Sequence, residues 1–429
     1  MTTLDGLRRR PRIAPARTSS RTGAARARGR GSDTAATEVA ALSYYLVAGA
    51  ALLLLALGVV MVLSASTIDS IRANDGNPYV EFLNQAKFVI IGIPMAVIAS
   101  RISVDWYRRL AWPAFLGALA LQLLIFSPLA RGKNGNVNWI YLPGINQTIQ
   151  PSEFLKLALA LWLGLVLARK GRLLGQWRHA LIPGAIGAAL ATGLVLAGHD
   201  MGTVLVMVAL VVGSYFVAGL PLRWFAILGV LGAGAAAGLV VSSASRTARV
   251  LSYLGLGESD PLDAGFQTQH GLWGLGTGGV SGVGLGASRE KWSYLPEAHN
   301  DFIFAIIGEE LGLLGTLLVL ALFGGLAIGM FRIVRRHRDP FVQITTAALA
   351  SWILAQALVN IGVVIGLLPV IGIPLPLVSA GGSAMISTLI AIGVLLAFAR
   401  SEPGAAQALA TRKGVVRRSM AVVGKVRRG

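Results

Sequence analysis

The stretch Trp292 to Gly312, WSYLPEAHNDFIFAIIGEELG, holds the densest set of groups able to move a proton. Glu297, His299, Asn300 and Asp301 fall within five residues, and Glu309 and Glu310 follow in the apolar run behind them. A carboxylate at the mouth of an apolar segment is a candidate general base, because partial desolvation raises its affinity for a proton. The plainer reading is that Asp301 or Asn300 caps the helix that starts there. Glu309 and Glu310 would be costly facing lipid, so they are expected to face a polar interior. A second charged set, Glu153 and Lys156 in Gln150-Pro151-Ser152-Glu153-Phe154-Leu155-Lys156, shares one helix face. It is either a self-contained ion pair or the wall of a polar cavity.

These groups have to be held by elements buried in hydrocarbon. The 429 residues are 55% hydrophobic and 13% charged, and a soluble domain carries roughly twice that charged share. With no cysteine, disulfides and thiolate metal sites are excluded. Ten apolar segments approach the length of a span: 42–66, 82–100, 107–127, 152–168, 181–197, 202–219, 223–243, 302–331, 342–367 and 380–399. The expected architecture is an all-α polytopic membrane protein of about ten transmembrane helices over 41–400. A disordered basic tail (1–40) precedes it and a second basic tail (401–429) follows. The tail is too long, and the next apolar run too extended, for a cleaved signal peptide.

The net charge of +19 invites a nucleic-acid reading, but its distribution argues for orientation instead. With a cytoplasmic N-terminus, 29 of the 38 lysines and arginines fall on the inner side and seven on the outer. Both termini are then cytoplasmic. One large extracytoplasmic loop, about 244–301, separates the seventh and eighth helices and contains most of the outer acids.

That loop carries GLWGLGTGGVSGVGLG, Gly271 to Gly286, in which Gly274, Gly276 and Gly279 satisfy GxGxxG. A dinucleotide site needs a preceding strand in a βαβ unit, so it is rejected. The glycines either make tight turns and close packing or offer N–H groups to a phosphate or sugar. Asp200, in the short outer turn Gly198-His199-Asp200, is read as a cap on the sixth helix. Pro369, Pro374 and Pro376 interrupt an apolar stretch, which predicts a re-entrant or broken segment lining a groove, with Ser379 and Ser383 as polar contacts.

Taken together, QPSEFLK, GHDMGT, the GFQ…GxGGxxGxGLG loop, YLPEAHNDFIFAIIGEELG and GLLPVIGIPLPLVSAGGS resemble the SEDS family (FtsW, RodA, SpoVE) over about 45–400, in the family's order. The EAHND…GEELG form and the long tails look more like its division members than its elongation members. The resemblance implies a peptidoglycan glycosyltransferase that polymerises lipid II at the outer face of the cytoplasmic membrane. It implies Asp301 as the essential external acid, Lys156 and Glu153 as an intramembrane pair, and Arg249 and Gln267 as loop residues near substrate. Three positions depart from the pattern: Ser293 in place of a glutamate, Asn300 of a threonine, His199 of a proline.

Inverting sugar transfer needs a base for the acceptor C4 hydroxyl and positive charge or N–H donors for the departing pyrophosphate. Asp301 is expected as the base, with Glu297 and His299 orienting it or touching the sugar. Lys156, Arg249, Lys291 and the glycine-loop amides are the candidates for the leaving group. A divalent cation (Mg or Mn) would assist, although no dedicated ligand cluster is legible. Expected partners are lipid II, membrane lipids, a class B penicillin-binding transpeptidase and other division proteins at the septum, and no nucleic acid. The competing readings are a lipid II flippase, disfavoured because the acids lie at the outer face and not at the midplane, and a division scaffold.

Overall fold

A bilayer offers no partner to an exposed backbone N–H or C=O, so long apolar runs must close their hydrogen bonds internally as helices. The computed structural model describes residues 22–133, 136–144, 147–242, 247, 250–251, 264–292 and 295–410. Among these, eight helices are long and apolar enough to cross a membrane, and Met201–Val217 and Leu222–Gly234 are shorter apolar helices at the sixth and seventh expected positions. Each of the ten expected segments coincides with a helix.

Helix α1 (Thr22–Ala73) begins well ahead of the expected first span. Residues 22–40, expected as disordered tail, therefore continue the helix, because each residue added to an existing helix closes one more backbone hydrogen bond. After it come α2 (Val80–Arg101), α3 (Val104–Leu123), α4 (Pro151–Lys170), α5 (Trp177–Ala180), α6 (Ile186–Ala197), α7 (Met201–Val217) and α8 (Leu222–Val241). The chain continues with α9 (Ala264–Gly278), α10 (Ile303–Arg336), α11 (Pro340–Val364) and α12 (Gly382–Arg400). Helices α4, α11 and α12 are the most buried, with α3, α7 and α2 packed against them and α1 against α10. Apolar burial does not by itself favour helix association in lipid, so close packing has to hold the bundle. Trp162 of α4 stacks on Phe115 of α3 with ring centroids 4.3 Å apart. Gly58 lets α1 touch the backbone at Leu377 and Val378, where a Cβ would lie 2.6 Å from the Val378 Cα.

The all-α expectation needs one amendment. Strands β1 (Ala130–Lys133), β2 (Asn136–Leu142) and β3 (Gln147–Ile149) form an antiparallel sheet in that order, pairing Ala130 with Ile140 and Ile140 with Ile149. Val137, Trp139, Ile140 and Tyr141 suit a pleated, half-buried surface, and Pro143-Gly144 ends the run. Ile140 is buried, and the sheet leads into the start of α4.

Residues 365–381, between α11 and α12, are irregular, as the prolines predict, and within them Ile373 and residues 375–379 are buried. Side-chain amides satisfy this backbone in place of a helix ladder. Asn360 donates to the Ile373 carbonyl and Gln356 to that of Pro374, while Gln85 of α2 donates to the Ser379 carbonyl and accepts from Gly381 N–H. Ser379 is part of this support: its hydroxyl accepts from Leu375 N–H at 2.8 Å.

The glycine loop has an equally structural task. Gly312 interrupts α10 with φ 69°, a left-handed conformation open to glycine at little cost. The Glu309 and Glu310 carbonyls there accept instead from Val283 and Gly284 N–H, and Leu313 and Leu314 N–H donate to the Gly279 and Val280 carbonyls. Residues 279–284 are thus spliced into a gap in the helix. A Cβ on Gly312 would lie 2.4 Å from Gly282 N.

Candidate active site

The ends where α4, α7, α10 and α12 begin surround a groove of about 820 Å³, roofed on one side by the sheet. Helix N-termini carry partial positive charge, which favours anions there. Of the candidate site residues expected from the sequence, Glu153, Lys156, Gln267, Glu297, Asp301 and Ser383 line it, and Asp200 and Asn300 line it too.

Asp301 does not cap α10. The capping position is Phe302, with no side-chain cap. The Asp301 carboxylate instead lines the groove, and its Oδ2 lies 3.4 Å from where a Cβ on Gly372 would stand. Its backbone is fixed by Asn360, whose side-chain amide donates to the Asp301 carbonyl at 2.7 Å. Glu297 adopts φ 55° at the turn before it and accepts from the Asn300 side chain at 3.3 Å. Gln267 reaches the groove from α9, which packs on α10.

Below Asp301 the groove wall is a buried polar network. Lys156 Nζ donates to Glu153 Oε1 at 2.9 Å and to Gln356 Oε1 at 3.1 Å, and lies 4.7 Å from the centre of the Trp352 ring. Ser387 donates to the other Glu153 oxygen at 2.9 Å. Both readings of this pair hold: it is ion-paired, and it lines the groove. Asp200 likewise does two things, capping α7 through Thr203 N–H and accepting from Gln150. Ser383 accepts from Gln150 N–H at 3.1 Å, joining the starts of α4 and α12.

Four expected contacts, Lys291, His299, Ser379 and the glycine-loop amides, are engaged elsewhere. Lys291 is buried away from the groove, 3.0 Å from Glu310, and also donates to Ser64 of α1 and the Gly286 carbonyl. Glu309 accepts from the Ser288 hydroxyl and from Arg289 N–H, so both glutamates fasten the loop to α10. His299 faces Asp69 of α1 at 3.4 Å. Ser379 is occupied within the irregular segment. The amides of Val283 and Gly284 are bonded to α10, which removes them as phosphate donors. Arg249 lies outside the described residues.

Sequence reasoning missed Arg131, which lines the groove from β1 with its guanidinium 5.2 Å from the Tyr141 ring centre. Its only signal was a cation in an outer segment, and without the sheet nothing aimed it. It also missed Asn360 and Gln356, two buried amides within an apolar helix. Among the described residues no three of His, Asp and Glu converge to hold a metal ion, so no step is routed through one.

The fold and groove define a polytopic helical membrane protein with a carboxylate-lined site at one end of its bundle. Residues 44–403 match the family described as "Cell cycle protein" (FTSW_RODA_SPOVE). The chain belongs to that family. It is 41% identical over 368 residues to the "Probable peptidoglycan glycosyltransferase FtsW" of Mycobacterium tuberculosis, covering 86% of this chain and 70% of that protein. It is 37% identical to the "Stage V sporulation protein E" of Bacillus subtilis over 81% of this chain and 94% of that one. Among solved structures it resembles a chain from "Structural coordination of polymerization and crosslinking by a peptidoglycan synthase complex", with TM-score 0.66 and 26% identity, covering 83% of this chain and 97% of that one. The Thermus thermophilus rod shape determining protein RodA matches with TM-score 0.62 and 27% identity over 83% and 97% of the two chains.

Proposed function

We propose that this chain is a peptidoglycan glycosyltransferase that polymerises lipid II at the outer face of the cytoplasmic membrane, with Asp301 as the base. The printed names of its relatives support the activity. The observation that carries the assignment of the base is that the Asp301 carboxylate lines the groove while the helix behind it starts without a side-chain cap.

In this reading the acceptor C4 hydroxyl lies against Asp301. As its oxygen bonds to the donor's anomeric carbon, the proton passes to the Asp301 carboxylate and the bond from that carbon to the pyrophosphate breaks. Arg131 is the groove cation suited to the departing pyrophosphate, since the Lys156 charge is matched by Glu153. Glu297 and Gln267 are placed to contact sugar. Donor and acceptor each carry one lipid chain on their own pyrophosphate, and the donor's chain leaves with its pyrophosphate. The exposed Ile90 and Ile91 of α2, next to the groove residue Phe88, offer such chains an apolar surface.

The likeness to a synthase complex that coordinates polymerization and crosslinking supports a crosslinking partner. We assign that partner as a class B penicillin-binding transpeptidase, working with other division proteins at the septum. The test is incubation of the purified chain with labelled lipid II, with and without the transpeptidase. Glycan strands are expected. Movement of lipid II between leaflets without any strands would favour the flippase reading.

A further inference from the structure

A second cavity, of about 320 Å³, lies at the opposite end of the bundle, where the connection after α4 meets the start of α8. Gly175, Gln176, Trp177, Arg178, Arg223 and Trp224 line it, and none of them takes part in the groove. Its chemistry is one-sided: two guanidinium groups, two indoles and no carboxylate. Among the described residues neither Arg178 nor Arg223 has an acidic side chain within ion-pair distance.

The site is braced. The Arg178 guanidinium lies 5.3 Å from the Trp177 ring centre, a cation–π contact that orients it. Lys170, at the end of α4, donates to the His179 carbonyl at 2.8 Å and so ties the two ends of the connection together. The indole N–H of Trp224 is shielded from solvent and has no acceptor among the described residues. Leu173 and Leu222, both exposed, flank the cavity with apolar surface.

We propose that this cavity binds the phosphate of an anionic phospholipid headgroup, with Arg178 and Arg223 on the phosphate and the indoles of Trp177 and Trp224 at the level where headgroup meets acyl chain. Orientation of the protein in the membrane requires positive charge at this face. It does not require two arginines and two indoles to converge on one cavity, with one guanidinium oriented over an indole and no carboxylate in the lining. A soluble phosphate would use the same cations, but it would gain nothing from the apolar flank.

The test is native mass spectrometry of the full chain released from nanodiscs containing phosphatidylglycerol and phosphatidylcholine. The wild type should retain one phosphatidylglycerol in preference to phosphatidylcholine. Near a membrane surface each basic residue contributes about 1 kcal/mol, so Arg178→Gln with Arg223→Gln should weaken that retention about 30-fold. Trp177→Leu removes the ring that orients Arg178, and should weaken it about twofold to fivefold. Arg109→Gln is the matched control: Arg109 also lies over a tryptophan, Trp106, at 5.5 Å, but lines neither cavity. Equal retention by wild type and double variant would overturn the proposal. So would an equal loss in the Arg109 control, and so would full displacement of the lipid by inorganic phosphate, which would assign the site to a soluble anion. Unchanged thermal melting of each variant separates loss of the site from loss of the fold.

Discussion

Asn360 holds Asp301 to the irregular segment: one side-chain amide donates to the Asp301 carbonyl and to the Ile373 carbonyl, each at 2.7 Å. The proposed base is therefore positioned through its backbone by a residue that does not line the groove. Asn360→Ala strands two carbonyls in a buried site, at about 1–3 kcal/mol for each. The variant should melt earlier and polymerise more slowly, with the loss in kcat exceeding any rise in KM. A variant that melts early yet keeps full kcat would show that the clasp is structural only.

The Glu153–Lys156 pair is almost wholly inaccessible, at 3% and 1% exposure. Removing one member leaves the other as an uncompensated buried charge, which costs about 3–5 kcal/mol. Lys156→Met should therefore be strongly destabilised in thermal unfolding, and Glu153→Gln combined with Lys156→Met should recover most of the loss. Additive losses in the double variant would contradict the pairing.

Arg131 supplies groove charge, and among the described residues no acidic side chain lies within ion-pair distance of it. A charge-assisted hydrogen bond contributes about 1.5–3 kcal/mol, so Arg131→Gln should slow polymerisation about 10- to 100-fold and leave melting unchanged. Full activity would move the pyrophosphate contact to another group.

Much of this arrangement is legible in the sequence because it follows from length and composition. Apolar runs fix the helices, and Pro369, Pro374 and Pro376 mark a segment between α11 and α12 that cannot be helical. The clustering of Glu297 and Asp301 before α10 marks the groove. What was not legible depends on partners distant in sequence. Lys291 and Asp301 both read as outer-loop charges, yet Ser64 of α1 and Glu310 draw Lys291 away from the groove. Ser379 and Ser383 are four residues apart, and only the second reaches the cavity, because the first bonds back to Leu375. The sheet escaped notice because its strands are short and β1 and β3 have one apolar side chain each, so no sustained apolar alternation announced it. The glycine loop allowed packing or anion binding, and the gap in α10 at Gly312 decides for packing.

Glu402 gives a pH dependence at the other end of the bundle. Burial pushes its carboxyl above the usual glutamate range, against the pull of Arg336 at 3.3 Å and of Arg332. The folded state thus holds the proton more tightly than the unfolded chain. The stability this confers is complete below the unfolded value of about 4.3 and is lost as pH rises through the folded value. Glu402→Gln never carries that charge, so its melting temperature relative to wild type should climb as pH is raised from about 4. A difference that stays constant with pH would contradict this.

The central claim is that the Asp301 carboxylate takes the acceptor proton. The direct measurement is lipid II polymerisation by purified wild type and Asp301→Asn, each with the transpeptidase present and each checked for an unchanged melting temperature. Removing a general base costs about 10²- to 10⁴-fold, so the account predicts a folded protein that makes essentially no strands. Strands of normal length at the wild-type rate from Asp301→Asn would contradict it.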